Sequence, residues 1–260
     1  MSKVKKFRIL KYKTTIKPVL KVKNISKSFD GRPILQNLNI NIFPGSINGL
    51  LGPNGSGKTT LFNLLLGVLK PNSGEIFAKS TKIDTLPIHE RCSKFRIAYV
   101  PQRESLFSGL SCEDNIKAIA EITLKNRRMI DEVVERLLSE FTLLDVKKTL
   151  ARELSGGQKK KLSIARALIN DPEILLLDEI FAALDPITID IIKKHITNLQ
   201  TTRKSISILI SDHIFPHVLD ISDNIFLIND GQIIGSGKPQ DIIKDADARK
   251  AYFGELGDLD

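Results

Sequence analysis

The sequence predicts an α/β fold carrying a helical insertion, on three observations. An apolar strand at 47–51 runs directly into a glycine-rich loop and then an apolar helix. Two apolar runs, 174–177 and 206–210 (the second interrupted by Ser207), read as strands buried on both faces of a mixed or parallel sheet. Residues 111–170 read mostly as helix, which places the insertion at about 103–170.

The elements follow in order. Residues 19–22 predict a short strand, and 34–42 alternate apolar and polar residues as a half-buried strand does. Pro44-Gly45 marks a turn before the strand at 47–51. Pro71-Asn72-Ser73-Gly74 opens a stretch of short strands and loops, and 97–100 is an apolar strand closed by Pro101. Ser111-Cys112-Glu113-Asp114 has the pattern of a helix cap, and 131–138 keep helical spacing. Segments at 225–228 and 232–234 flank Asn229-Asp230-Gly231, a hairpin signal. Neither an internal repeat nor a low-complexity segment is visible.

Composition bounds the function. With 42% hydrophobic and 27% charged residues in 260, the chain is neither disordered nor collagen-like. Two cysteines, Cys92 and Cys112, without a CxxC pair argue against a disulfide scaffold or a cysteine zinc module, and fit a reducing compartment. Apolar runs stay short of the ~18–20 residues that cross a bilayer, and the N-terminus lacks the apolar stretch of a secretory signal. The net charge of +9 belongs to one end: residues 1–29 hold ten basic side chains and no acid. The remainder carries 29 basic and 30 acidic residues, a net of −1. Residues 1–18 are therefore expected to be an extension, either a solvated tail or an arm attracted to anionic headgroups or nucleic acid.

Gly52-Pro53-Asn54-Gly55-Ser56-Gly57-Lys58-Thr59-Thr60 fits GxxxxGK[ST] in the strand–loop–helix context that the motif needs. The glycines let the backbone curl and aim its N–H groups at a phosphate, and the helix N-terminus adds positive potential. Lys58 is expected on the β- and γ-phosphates and the Thr59 hydroxyl on Mg²⁺. A second element, Asp178-Glu179, ends the buried strand at 174–177. Asp178 is expected on the Mg²⁺ side, and Glu179 to orient and deprotonate the attacking water. Alone, two acids at a strand end read as solvated; with a phosphate loop about 120 residues earlier they read as a nucleotide-hydrolysing pair.

Leu154-Ser155-Gly156-Gly157-Gln158, together with the loop and the acid pair, resembles the signature of the ATP-binding cassette family, and the resemblance spans about 19–245. It implies a P-loop NTPase cassette with a RecA-like core sheet, an antiparallel β subdomain and a helical subdomain. It further implies that Gln102 is the Q-loop glutamine, contacting Mg²⁺ and the nucleophilic water, that Asp185 in Ala183-Leu184-Asp185 belongs to the D-loop, and that His213 is the γ-phosphate-sensing switch. Phe29 sits where the family stacks an aromatic ring on adenine. In the family, the signature of one subunit closes on the ATP held by the other. One set of elements per chain thus implies a homodimer. The chain departs from the family at Ile180, where proline is usual, so a softer turn into Phe181-Ala182 is expected.

A single cassette without membrane helices looks like the separate ATPase subunit of a transporter, peripheral on the cytoplasmic face of the inner membrane beneath transmembrane permeases. Leu86-Pro87-Ile88-His89-Glu90-Arg91, 98–107, 181–187 and the tail at 249–255 resemble cassettes that power lipopolysaccharide export. Branched-chain amino-acid importer cassettes share parts of these stretches and remain the alternative. A membrane-subunit helix is expected to dock against Arg91, Phe95, Arg103, Leu106 and Phe107, unless Leu106 and Phe107 simply pack in the core. No nucleic-acid partner is expected, since the basic arm is the sole feature of that kind; a soluble nucleic-acid-bound ATPase is the remaining reading. Residues 246–260 are expected to form a C-terminal tail.

Overall fold

The computed structural model describes residues 16–203 and 205–244; the basic residues 1–15 and the tail at 249–255 lie outside the described residues. In chain order the elements are β1 (Leu20–Phe29), β2 (Arg32–Ile42), β3 (Ile47–Leu51), α1 (Lys58–Leu66), β4 (Ser73–Ala78), β5 (Thr81–Lys82), α2 (Ile88–Lys94) and β6 (Ile97–Val100). There follow α3 (Cys112–Thr123), α4 (Arg127–Glu140), α5 (Gly156–Ala167), β7 (Ile174–Asp178), α6 (Pro186–Thr202), β8 (Ser207–Asp212), α7 (Phe215–Ile221), β9 (Asn224–Asn229), β10 (Gln232–Gly237) and α8 (Pro239–Lys244).

Six strands form one sheet in the order β10-β9-β3-β8-β7-β6. Its pairs are parallel except β9–β10, the hairpin predicted at Asn229-Asp230-Gly231. Alternation along each strand splits the interior in two. Leu175, Leu177, Ile208, Ile210, Ile225 and Leu227 face a core shared with α3–α7. Ile174, Leu176, Leu209, Phe226 and Ile228 face a second core with α1 and the small sheet. Burial on both faces is why these strands read as apolar runs. The second sheet, β2-β1-β4-β5, is antiparallel. Its β1 is longer than the predicted 19–22, because irregularities in register at Val22–Ile25 and Ile25–Lys27 let it bend and continue to Phe29.

The three helices of 103–170 each begin on a side-chain cap. Ser111 accepts from the N–H of Asp114, and Asn126 from Arg128 and Met129. Ser155 and Gln158 form a reciprocal capping box, so α5 starts at Gly156. The longest helix, α6, is absent from the sequence-based expectations. Asp185 caps it, accepting from the Thr188 N–H at 2.9 Å, and Pro186 opens its first turn.

Two expectations about the docking surface are corrected here. Arg91 is fully buried. Its guanidinium donates to the carbonyls of Leu86 (2.8 Å), Leu64 (2.6 Å), Leu65 (2.9 Å) and Asp84 (3.1 Å), tying α2 to the end of α1. Phe95 is also buried, in the core beside α1. Neither side chain lies on a surface. Arg103 and Phe107 are exposed, while Leu106 is half-buried against the main core.

Candidate functional site

The parallel strands all point their C-terminal ends to one edge of the sheet, and the chemistry-bearing residues leave from that edge. The loop 52–57 follows β3, Gln102 lies just beyond β6, Asp178 and Glu179 end β7, and His213 follows β8. The order β3-β8-β7-β6 sets these four exits side by side.

The loop is shaped by three backbone demands. Gly55 and Gly57 have φ of 80° and 105°, which glycine adopts freely. A Cβ on Gly52 would lie 2.3 Å from the Ile228 carbonyl, so the loop fits only against β9 as glycine. Lys58 curls back, its Nζ donating to the carbonyls of Gly52 (2.7 Å) and Pro53 (3.0 Å). Burial pushes this ammonium below the ordinary lysine range, against the opposing pull of Glu179, Asp178 and Asp212. The Ser56 hydroxyl is buried without a partner, a polar group left for a ligand. Thr59 is exposed at the loop mouth.

Asp178 is almost fully buried. One carboxylate oxygen accepts from the Ser211 hydroxyl and the other from Tyr99 at 3.1 Å. Glu179 is held in a left-handed conformation (φ 45°), a strain of roughly 1–3 kcal/mol, with its N–H on the Ser211 carbonyl at 2.8 Å. That twist turns its carboxylate out of the sheet. Its Oε2 accepts from Gln102 Nε2 at 2.6 Å and lies 3.6 Å from His213 Nδ1. The three polar residues expected around a hydrolytic water thus meet at one oxygen. Asp212, buried behind them, accepts from the N–H groups of His213 (2.7 Å), Ile214 (3.0 Å) and Phe181 (3.2 Å). That last bond, with Ile180 and Phe181 fully buried, pins the turn after Glu179.

Phe29 is 43% exposed, with the Lys27 ammonium 5.1 Å from its ring centre. Ser155 and Gly156 are exposed at the start of α5. The Ser155 oxygen accepts from the Gln158 N–H, which leaves its own hydrogen to be donated outward beside the free first-turn N–H groups. A Cβ on Gly157 would lie 2.5 Å from Thr188 Cγ2, so the signature helix rests directly on the residue that Asp185 caps. The loop, acid pair, Gln102 and His213 converge; among the described residues, Ser155 and Gln158 bond to each other and not to that group.

Sequence patterns do not flag four residues that shape the site. Tyr99 touches Asp178. Lys160 donates to the Gln102 carbonyl at 3.2 Å, and burial lowers its pKa. Arg166 holds the Ser105 carbonyl at 2.7 Å and lies 4.7 Å from the Phe107 ring centre. Asn115, fully buried, staples the 107–111 loop through its amide. The partners of Tyr99, Lys160 and Arg166 are distant in sequence, while Asn115 holds the loop just before its own helix.

Comparison with known proteins meets this geometry at the loop and the acid pair. The family model described as ABC transporter matches residues 35–182, more than half of the chain. The chain belongs to the ABC transporter family. It is an ATP-binding cassette of that family of ATPases. The lipopolysaccharide export system ATP-binding protein LptB of Haemophilus influenzae is 35% identical over 241 residues, covering 91% of this chain and 98% of its own. A probable ABC transporter ATP-binding protein of Azorhizobium caulinodans is 38% identical over 231 residues, 89% of this cassette and 81% of that protein. Among solved structures, the ADP conformation of an ATP-binding cassette of an ABC transporter superposes with a TM-score of 0.83 at 28% identity, over 92% of this chain and 99% of that one. A dimeric cassette in a post-hydrolysis state, bound to ADP and Pi, gives 0.75 at 26% identity, over 85% and 98%. Among the described residues, no helix of this cassette is long and apolar enough to cross a membrane.

Proposed function

We propose that this cassette powers lipopolysaccharide export, as a homodimer on the cytoplasmic face of a membrane beneath two permease subunits. The observation that carries the motor is the convergence of Gln102, Glu179 and His213 on one carboxylate oxygen beside the phosphate loop. The cargo rests on the LptB relatives, which align over nearly their whole length.

In this reading the backbone of 52–60 and Lys58 bind the phosphates of ATP, and Phe29 stacks on the adenine. Lys58 gives up two loop carbonyls for phosphate oxygens as the substrate enters. Glu179 aligns a water in line with the γ-phosphorus and takes its proton, while Gln102 and His213 hold the water and the γ-phosphate. The residues present fit Mg²⁺: one buried carboxylate (Asp178), an open hydroxyl (Thr59) and the Gln102 amide make an oxygen donor set that substrate phosphates complete. When bound, the ion supplies charge neutralisation on the phosphates. Ser155, Gly156 and Gly157 donate to the γ-phosphate held by the second copy, with Asp185 alongside, so ATP favours the closed pair and hydrolysis releases it. Arg103 and Phe107 are the exposed part of the permease contact. The cassette proper is 19–245, with 1–18 and 246–260 as extensions; the basic arm adds electrostatic attraction to anionic lipid.

The test is an affinity pull-down of the tagged protein from detergent-solubilised membranes, with partners identified by mass spectrometry. Two lipopolysaccharide-export membrane subunits are expected. Amino-acid permeases instead would replace the cargo and keep the motor, whereas nucleic acid without membrane protein would overturn transport.

A further inference from the structure

Tyr99 stands on β6, the edge strand of the large sheet, and is half-buried. Two contacts fix it. Its ring meets Phe62 of α1 edge-on, with centres 6.2 Å apart and planes at 82°. Its hydroxyl donates to Asp178 Oδ2 at 3.1 Å. The opposite oxygen of Asp178 accepts from Ser211 on β8. A carboxylate at a strand end can rotate about two side-chain bonds. This one is gripped from both neighbouring strands, and one grip is braced on the helix that begins with Lys58.

We infer that Tyr99, with Ser211, is a positioning residue for Mg²⁺: it fixes the plane of the Asp178 carboxylate relative to the phosphate loop. This rests on the assignment of Asp178 to the ion. Each oxygen of a carboxylate has two lone-pair directions, so one hydrogen bond per oxygen leaves the second direction open. The two bonds therefore orient the group without blocking it. Partners of this kind, one step removed from a metal, change its affinity by about 10- to 100-fold when removed. The Phe62 contact gives the arrangement a further property. The tyrosine ring touches α1 while its hydroxyl touches β7, so the distance between the loop helix and the acid is set by one rigid side chain.

Tyr99→Phe tests this, because it keeps the ring on Phe62 and deletes one oxygen. The full chain is titrated with a non-hydrolysable ATP analogue in EDTA, and then with Mn²⁺ at saturating analogue, read by electron paramagnetic resonance. The expected result is an unchanged analogue affinity in EDTA and a Mn²⁺ affinity weakened about 10-fold, with Ser211→Ala giving a loss of the same kind. Unchanged Mn²⁺ affinity in Tyr99→Phe overturns the inference. An equal loss in EDTA also overturns it, by placing the effect on the loop. If the unsubstituted protein itself binds Mn²⁺ no better with the analogue than the analogue alone does, the assignment of Asp178 falls first, and the inference with it.

Discussion

Replacing Arg91 by methionine keeps a long, flexible apolar stem and removes the guanidinium. Four carbonyls then lose a charged donor, those of Leu64, Leu65, Asp84 and Leu86. Leu64 retains the Gly67 N–H at 3.3 Å; no comparable substitute is at hand for the other three. A buried acceptor left unmet costs about 1–3 kcal/mol. Partial access of water and relaxation of the short α2 reduce the sum of the three losses to about 3–5 kcal/mol. At about 2–4 °C per kcal/mol for a domain of this size, the melting temperature should fall by roughly 10 °C. The assay is thermal unfolding followed by circular dichroism, with Arg103→Met as the exposed control, which should stay within about 0.5 kcal/mol of the unsubstituted protein. If Arg91→Met melts with the control while losing its membrane partners in the pull-down, the buried strut is wrong and the residue belongs to the docking surface after all.

Glu179→Gln should keep ATP binding and lower turnover by about 10²- to 10⁴-fold, checked by phosphate release beside equilibrium binding. Lys58→Ala should weaken ATP by about 10- to 100-fold, the worth of a charged hydrogen bond, measured by calorimetry. Phe29→Ala should cost about tenfold in ATP affinity if adenine stacks there, and leave the affinity for inorganic triphosphate alone unchanged. Of the two thiols, exposed Cys92 should react with a disulfide reagent in the native protein. Buried Cys112, pushed up to about 11 chiefly by burial, should react only after unfolding.

The large sheet was legible because its strands β7, β8 and β9 are buried on both faces, which writes an unbroken apolar stretch into each of these three. The loop and the acid pair were legible because their chemistry is local: each is a short stretch at a strand end. Helix α6 was hidden by its own composition. Its first residues, with Ile187, Thr188, Ile189, Ile191 and Ile192, are β-branched and favour a strand by propensity. The cap on Asp185 and the spacing of Ile189, Ile192, Ile196 and Leu199 override that preference through burial. Arg91 misled for a different reason. A charged residue in a stretch where a docking helix is expected reads as surface, and nothing local records that two of its partners are carbonyls at the far end of α1. The left-handed Glu179 was equally invisible, since it is imposed by β8 through Ser211 and Asp212.

The strand order has a consequence for synthesis. β3, which ends at the phosphate loop, is flanked by β8 and β9, the last parallel strands to be made. β8 also separates the loop from the acid pair. A ribosome that has completed Lys58 must still add more than 150 residues before Asp212 exists. At about 5–20 residues per second, that interval lasts roughly 10–30 s. Throughout it, β3 has neither neighbour and its apolar residues have no sheet to enter. The nascent cassette therefore offers a chaperone a long window, and cannot gain nucleotide as a folding ligand until the chain is nearly finished.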